Sequence, residues 1–240
     1  MIMMVTAGFL LAGGCTKTGV NANQISNKQL LVLNTTANTN LATNTTAANG
    51  NAPLLAPMTN TTKPVSAPAP TVVVPIADFF SRVTKKPFGI YITPATSPIR
   101  PEKFTGYHTG ADAETTPAEA TIDVPVYAMA AGTVVFAGHV NGYGGVIIIR
   151  HSIGTEHVLS LSGHLRMTSF TIKVGSSVTA GEKITVLGTG YTTETDGERK
   201  HLHFGLIKGW TINYKGYVPT QSQLSAWDDP VAWLHLHGAS

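Results

Sequence analysis

Residues 132–161 of the chain, GTVVFAGHVNGYGGVIIIRHSIGTEHVLSL, contain three runs rich in Val and Ile with glycine-containing turns between them. Runs of this composition are typical of β-strands. The segment Asn141–Gly145 separates the first two runs, and its Asn-Gly pair predicts a hairpin turn. Parallel strands would need connections of about a dozen residues or more, and the chain between these runs is too short for that. The stretch therefore predicts an antiparallel sheet.

Similar short runs lie on both sides of this stretch, at residues 124–129 and 182–187. A short helix is expected at residues 77–83, and a closing helix, broken near Pro230, at residues 222–236. Because strands outnumber helices so clearly, the predicted fold class is all-β, a mainly antiparallel sheet with a few short helices.

The first 75 residues differ in composition from the rest of the chain. Residues 1–14 are uncharged and mostly apolar, but a membrane span needs about 20 apolar residues, so they predict a secretory signal peptide. Residues 15–75 are dominated by Asn, Thr, Ala and Pro and lack aromatic side chains, which predicts a disordered tether. We therefore expect one folded domain at residues 76–240.

The formal net charge of +3 comes entirely from the N-terminal third. Lys17, Lys28 and Lys63 precede the first acidic residue, Asp78, and beyond them 13 basic residues are balanced by 13 acidic ones. A nucleic-acid-binding domain would concentrate Lys and Arg on its folded part, so no nucleic-acid partner is expected. The histidines have the opposite distribution, since all nine lie at or beyond His108.

The spacing of several histidines suggests a metal site. His108 and Asp112 are four residues apart and His201 and His203 are two apart, so on strands each pair would share a face. A catalytic zinc site needs three N or O ligands and an open position for water. His108, Asp112 and one histidine of the 201/203 pair could supply those ligands, with the other histidine and His164 beside the water. Spacing alone also fits ordinary core or surface histidines.

A second His-x-His pair, His235 and His237, illustrates how weak this pattern is by itself, because it lies near a chain end that is prone to fraying. Rival chemistries lack their own motifs. The sequence has no Gly-x-x-x-x-Gly-Lys phosphate loop and no dinucleotide fingerprint opening a helix. The domain has no Gly-x-Ser-x-Gly elbow for serine catalysis.

The order of motifs along residues 105–208 is more specific than any single spacing. The segments are Tyr107–Asp112, Val124–Phe136, Gly142–His151, Gly163–Leu165, Val174–Gly181 and His201–Phe204, followed by Trp227–Leu234. Together they closely resemble the catalytic domain of lysostaphin-type, LytM-like zinc metallopeptidases, which cut the peptide part of bacterial peptidoglycan. The resemblance implies a β-sandwich or split-barrel-like LytM domain.

The resemblance also implies roles for five residues. His108, Asp112 and His203 become the ligands of one zinc ion per domain, and His164 and His201 become the catalytic pair, with the choice of general base left open. The implied function is a zinc-dependent endopeptidase acting on peptidoglycan. The alternatives are a catalytically inactive LytM-like domain that binds the wall and activates other hydrolases, or a simple wall-binding module. The complete set of five residues favours the enzyme.

The segment before the only cysteine carries a second resemblance. Leu11-Ala12-Gly13-Gly14 followed by Cys15 resembles the lipobox of bacterial lipoproteins. It implies lipidation of Cys15, export, and a membrane-anchored lipoprotein in the cell envelope that faces the cell wall. The alternative is an ordinary signal peptide followed by an incidental cysteine.

Three features depart from the family pattern. Residues 113–123 are longer than usual, Ser162 stands where family members often have Tyr, and residues 194–200 are more strongly charged than the common turn. None of them removes a ligand. We expect the first and the third to reshape the substrate groove.

Overall fold

The computed structural model describes residues 72–240. The predicted signal peptide, the predicted lipidation site at Cys15 and nearly all of the predicted tether lie outside these residues. The strands are β1 (Tyr91–Ile92), β2 (Gly106–His108), β3 (Gly110–Glu114), β4 (Pro125–Tyr127), β5 (Gly132–Val140), β6 (Gly144–Ile153), β7 (Glu156–Leu165), β8 (Ser177–Val178), β9 (Lys183–Val186), β10 (His201–Lys208), β11 (Tyr217–Val218) and β12 (Trp227–Asp228). The α-helices are α1 (Phe79–Arg82) and α2 (Pro230–Leu236), and 3₁₀-helical turns lie at Pro117–Glu119, Met167–Ser169, Thr193–Thr195 and Gln221–Ala226.

The largest sheet contains seven strands in the order β12-β10-β7-β6-β5-β8, with β3 also paired to β10. Two smaller sheets, β1-β2-β11 and β4-β9, complete the strand pairing. Every strand pair within residues 72–240 is antiparallel. The prediction of a mainly antiparallel all-β fold with a few short helices is therefore confirmed.

Strand β6 lies at the centre of the sheet and is buried on both of its faces. Val146 and Ile148 belong to one apolar cluster, while Ile147 and Ile149 belong to another. Because both faces are covered, the strand is apolar at successive positions instead of alternating with polar ones. This explains the continuous run of isoleucines in the sequence.

The hairpin between β5 and β6 has its turn at residues 141–143, as predicted, with Val140 and Gly144 as the last paired residues. Gly142 and Gly144 have φ angles of 88° and 74°, in the left-handed region that favours glycine. A Cβ at Gly144 would also lie 2.1 Å from the carbonyl oxygen of Glu194. The hairpin turn therefore packs directly against the charged segment 194–200.

The C-terminal part differs from the expectation of one helix broken near Pro230. The structure has a 3₁₀ turn at Gln221–Ala226, then β12, and then α2, which begins at Pro230. Proline suits the first helical position because its missing N–H would have no partner there. Asp229 caps this helix, since its carboxylate accepts hydrogen bonds from two backbone N–H groups of the first turn. Within residues 72–240, no helix has the length and apolar character that a membrane span requires.

Candidate metal centre

Strand β10 brings two separate parts of the chain to one place. His203 is the register partner of Asp112 on β3 and of Gly163 on β7. His108 ends β2, and a single residue, Thr109, separates it from the start of β3. A Cβ at Gly110 would lie 2.7 Å from Nε2 of His203, so this close approach of β3 requires glycine. The antiparallel pairing therefore brings His203 beside His108 and Asp112, which lie 95 and 91 positions earlier in the sequence.

His108, Asp112 and His203 form a cluster that we call the ligand triangle. Nε2 of His108 lies 3.0 Å from Nδ1 of His203 and 3.2 Å from Oδ1 of Asp112. Nδ1 of His203 lies 3.2 Å from the same Oδ1. All three residues are buried, and they form a group with the geometry to hold a metal ion.

The chemistry of the ligand triangle fits zinc. Nδ1 of His108 lies 3.2 Å from the carbonyl oxygen of Pro87, which can only accept, so the proton is assigned to Nδ1 and Nε2 presents a lone pair. That lone pair, the carboxylate oxygen Oδ1 of Asp112 and Nδ1 of His203 converge on one point, where a cation could contact all three atoms. Ligands at about 2.0–2.1 Å from a tetrahedral zinc ion are about 3.3 Å apart, close to the separations observed here.

His164 and His201 lie beside the ligand triangle, with ring centroids 4.2 Å apart. Nδ1 of His201 donates to the carbonyl oxygen of Arg199 at 2.9 Å, and Nε2 lies 3.3 Å from Oδ2 of Asp112. Nδ1 of His164 donates to the carbonyl oxygen of Thr195 at 3.3 Å. His164 has a φ of 63°, a costly conformation for a residue with a side chain, and such strain is concentrated at functional sites.

Burial controls the protonation of these residues. It lowers the pKa of His203 to about 4 and, together with the neighbouring imidazole of His201, lowers the pKa of His164 well below its ordinary value. Burial alone would raise the pKa of Asp112, but the electrostatic influence of the adjacent His201 and His108 side chains and their hydrogen bonds outweigh it and hold that pKa well below its ordinary value. At neutral pH the site therefore has neutral imidazoles at His164 and His203 and an ionised carboxylate.

A buried arginine that the sequence analysis did not single out also contacts the site. Nη2 of Arg199 donates to Oδ2 of Asp112 at 2.9 Å, and Nε donates to Glu114 at 2.9 Å. Within residues 72–240, Nη1 of this guanidinium is buried without a hydrogen-bond partner. The only sequence signal was the unusual charge of residues 194–200.

Two tyrosines near the site were also missed. The hydroxyl of Tyr143 lies 3.3 Å from Nε2 of His203, and a Cβ at Gly163 would lie 2.5 Å from the tyrosine ring. Tyr217 has its ring centroid 5.1 Å from that of His108. Its hydroxyl accepts a hydrogen bond from the buried ammonium group of Lys86 at 3.2 Å. Tyr143 could have been suspected, because a large aromatic residue lies between two turn glycines.

The site opens into a cavity of about 280 Å³. Four of the five candidate residues line it, and His108 lies behind them, fully buried. The rest of the wall combines the aromatic side chains of Phe104, Tyr143, Tyr214 and Tyr217 with charged and polar residues, among them Lys86, Glu198 and Arg199. A ligand in the cavity would therefore meet aromatic rings and charged groups besides the histidine and aspartate cluster.

The other histidines lie outside this cluster. His151 is buried with Nε2 2.8 Å from the hydroxyl of Ser160, and burial lowers its pKa to about 4. The second His-x-His pair belongs to the C-terminal end, where His235 stacks on Phe80 and His237 stacks on Trp233. This pair therefore packs with aromatic neighbours and does not approach the ligand triangle.

Comparison with known proteins identifies the family. The model of peptidase family M23 matches residues 106–214. The lipoprotein NlpD of Yersinia enterocolitica is 33% identical over 97 residues, which make up 40% of this chain and 90% of that protein. This chain belongs to peptidase family M23. The matched residues include all five candidate residues, and the resemblance found in the sequence is confirmed.

Other known proteins also match part of this chain. An uncharacterized protein of Haemophilus influenzae is 41% identical over 100 residues, or 41% of this chain. This chain covers only 22% of the length of that protein. Among solved structures, LytU is 25% identical with a TM-score of 0.44, and the match covers 65% of this chain and 85% of LytU.

Proposed function

We propose that this chain is a zinc-dependent endopeptidase that hydrolyses peptide bonds in bacterial peptidoglycan. The observation that carries the proposal is the ligand triangle itself, in which Nε2 of His108, Nδ1 of His203 and Oδ1 of Asp112 lie within 3.2 Å of one another. Two further histidines, His164 and His201, lie beside it, and membership of a peptidase family supports hydrolytic chemistry.

His108, Asp112 and His203 would hold the zinc ion. Bound there, zinc would supply a Lewis acid that polarises the scissile carbonyl group and lowers the pKa of water towards about 7.

In this proposal His201 is the general base, a choice supported by its contact with Asp112. Its Nδ1 proton is held by the carbonyl oxygen of Arg199, so Nε2 is free to take a proton from the attacking water. The resulting imidazolium would be stabilised by Oδ2 of Asp112, which lies 3.3 Å from Nε2. As the C–N bond breaks, the same proton would pass from Nε2 to the leaving amine.

His164 would orient the water in this reaction. Its Nδ1 proton is held by the carbonyl oxygen of Thr195, so its Nε2 offers a lone pair. Its lowered pKa keeps that nitrogen unprotonated at neutral pH, and it can accept a hydrogen bond from the water. The two histidines would thus share one water molecule, one by accepting its proton and the other by fixing its direction.

The anchored location is also part of the proposal. We propose that residues 1–14 are a signal peptide, that Cys15 is lipidated, and that residues 15–75 tether the catalytic domain, residues 76–240, to a membrane. The name of the relative NlpD, a lipoprotein, supports this arrangement. A tether of about 60 flexible residues would have a root-mean-square span of roughly 40–45 Å and would let the domain act at a distance from the membrane.

A non-catalytic LytM-like domain that activates other hydrolases is the alternative function. It would need no complete set of catalytic side chains. The presence of all five candidate residues in one cluster, with their hydrogen-bond partners, favours the enzyme.

The test is digestion of purified peptidoglycan by the full chain loaded with zinc, followed by mass spectrometry of the products. We expect new amino and carboxyl termini in the stem peptides or cross-links, loss of this cleavage with a chelator, and its return with zinc. Folded, zinc-loaded protein that binds peptidoglycan but creates no new termini would contradict the enzyme. Stimulation of a second wall hydrolase by such a protein would favour the alternative.

A further inference from the structure

We infer that Arg199 is a positioning residue for the metal centre, because it holds the Asp112 carboxylate so that Oδ1 faces His108 and His203. The inference rests on the proposed metal site and adds to it a residue outside the ligand triangle and the catalytic pair.

The two oxygens of Asp112 have different partners. Oδ1 lies 3.2 Å from both Nε2 of His108 and Nδ1 of His203, so it faces these two imidazoles. Oδ2 receives a hydrogen bond from Nη2 of Arg199 at 2.9 Å. A carboxylate held by one oxygen cannot rotate without breaking that hydrogen bond. Arg199 therefore determines which oxygen is available to the ligand triangle.

Arg199 is itself fixed by a second carboxylate. Both oxygens of Glu114 accept hydrogen bonds from its guanidinium group, and the arginine is only 8% exposed. Glu114 lies two residues beyond Asp112 on β3 and is the register partner of His201 on β10. One planar guanidinium thus links a ligand-bearing strand to the start of the strand that carries the His-x-His pair.

Arg199 and its partner Glu114 come from two segments in which this sequence departs from the family pattern. Glu114 belongs to the longer segment 113–123, and Arg199 belongs to the charged segment 194–200. Lys200 also donates to the carbonyl oxygens of Glu119 and Ile122 in the longer segment. The two departures therefore complement each other, and the positioning contact is a product of both.

The test measures zinc affinity by chelator competition in the full chain, with Cys15→Ser in every sample so that the thiol cannot bind zinc. We expect Arg199→Gln to weaken zinc binding by about 10–100-fold, the usual cost of losing an outer partner of a metal ligand. Arg199→Lys should recover only part of the loss, because one ammonium cannot replace the planar fork. The control is Arg166→Gln, which removes ion pairs with Asp123 and Glu194 but leaves the ligand triangle untouched.

A second readout separates positioning from general stability. In the cobalt-substituted protein, Arg199→Gln should change the visible absorption bands, which report coordination geometry, while Arg166→Gln should leave them unchanged. Folded Arg199→Gln protein with wild-type zinc affinity and wild-type cobalt bands would overturn the inference.

If Arg199→Gln does not fold, Glu114→Gln decides the question. This variant retains the guanidinium group of Arg199 and its contact with Asp112, but it removes the carboxylate charge that fixes the guanidinium group. Zinc affinity should therefore fall several-fold. Unchanged zinc affinity would overturn the inference. If the proposed metal site itself were wrong, the result would be different. In that case, His203→Ala would bind zinc as tightly as the wild type does, whatever residue stands at position 199.

Discussion

Asp112 and His203 are register partners in the antiparallel pair of β3 and β10, although 91 residues separate them in the sequence. Side chains at such cross-strand positions start from Cβ atoms only about 4.5–5.5 Å apart. The sheet itself therefore brings Oδ1 of Asp112 to 3.2 Å from Nδ1 of His203. A site set by strand register should be preformed and should lose its metal when one ligand is removed.

The first prediction concerns that loss. His203→Ala should weaken zinc binding by more than about 100-fold, because even the outer partners of metal ligands are worth about 10–100-fold. Chelator competition on the purified protein measures this affinity. The matched control is His157→Ala, since His157 is exposed and stacks on Trp210 away from the cluster. Equal losses in the two variants, or none in either, would contradict a metal site at the ligand triangle.

The second prediction separates catalysis from metal binding. His201→Ala and His164→Ala should each retain zinc, but cleavage of peptidoglycan should slow by about 10²–10⁴-fold, the usual contribution of a positioned proton-transfer group. Zinc content and cleavage rate must be measured on the same samples. If either variant cleaves at the wild-type rate with zinc bound, the role given to that histidine is wrong.

The sequence predicted the sheet from local patterns, whereas the candidate cluster came from local spacing together with the family resemblance. The Val- and Ile-rich runs around Asn141–Gly145 predicted strands and their turn, and both are present in the structure. The two-residue spacing of His201 and His203 placed both on one face of a strand, as observed in β10. The choice of His203 as the ligand came from the family resemblance. The position of its Nδ1 beside His108 and Asp112 fits that choice.

Residues that enter the site through long-range contacts could not be predicted in this way. Arg199 reaches Asp112 across 87 positions, and Lys86 reaches Tyr217 across 131. No periodicity connects such residues, because their contacts arise only after the strands pair. The prediction of a helix broken near Pro230 was wrong for a local reason, because proline can either interrupt a helix or begin one.

The third prediction concerns His151, which is buried and has a pKa lowered to about 4. The unfolded chain takes up a proton near the ordinary pKa of 6.5, whereas the folded chain does so only near 4. Stability is therefore complete above pH 6.5 and falls as the pH is lowered towards 4, by about 3 kcal/mol from this group. Urea unfolding at pH 7 and pH 4 measures the fall.

The variant His151→Gln should reduce the loss of stability between pH 7 and pH 4 by about that amount, because its side chain does not titrate, while the buried His164 and His203 keep their own contributions. The exposed His139 offers the control, and His139→Gln should leave the wild-type curve unchanged. Wild-type pH dependence in His151→Gln would mean that another group is responsible.

The fourth prediction concerns Lys200, which fastens the longer segment 113–123 to the start of β10. Its buried ammonium group donates to the carbonyl oxygens of Glu119 at 2.9 Å and Ile122 at 2.6 Å. Lys200→Gln should leave these acceptors without their charged partner, lower the free energy of unfolding by about 1–3 kcal/mol, and speed hydrogen exchange at residues 116–123.

The control is Lys208→Gln, at the exposed end of β10. It should change neither quantity, because the ion pair of Lys208 with Asp228 is on the surface. Unchanged exchange at residues 116–123 in Lys200→Gln would mean that this segment is held by other contacts, with the ion pair between Arg82 and Glu119 the first to test.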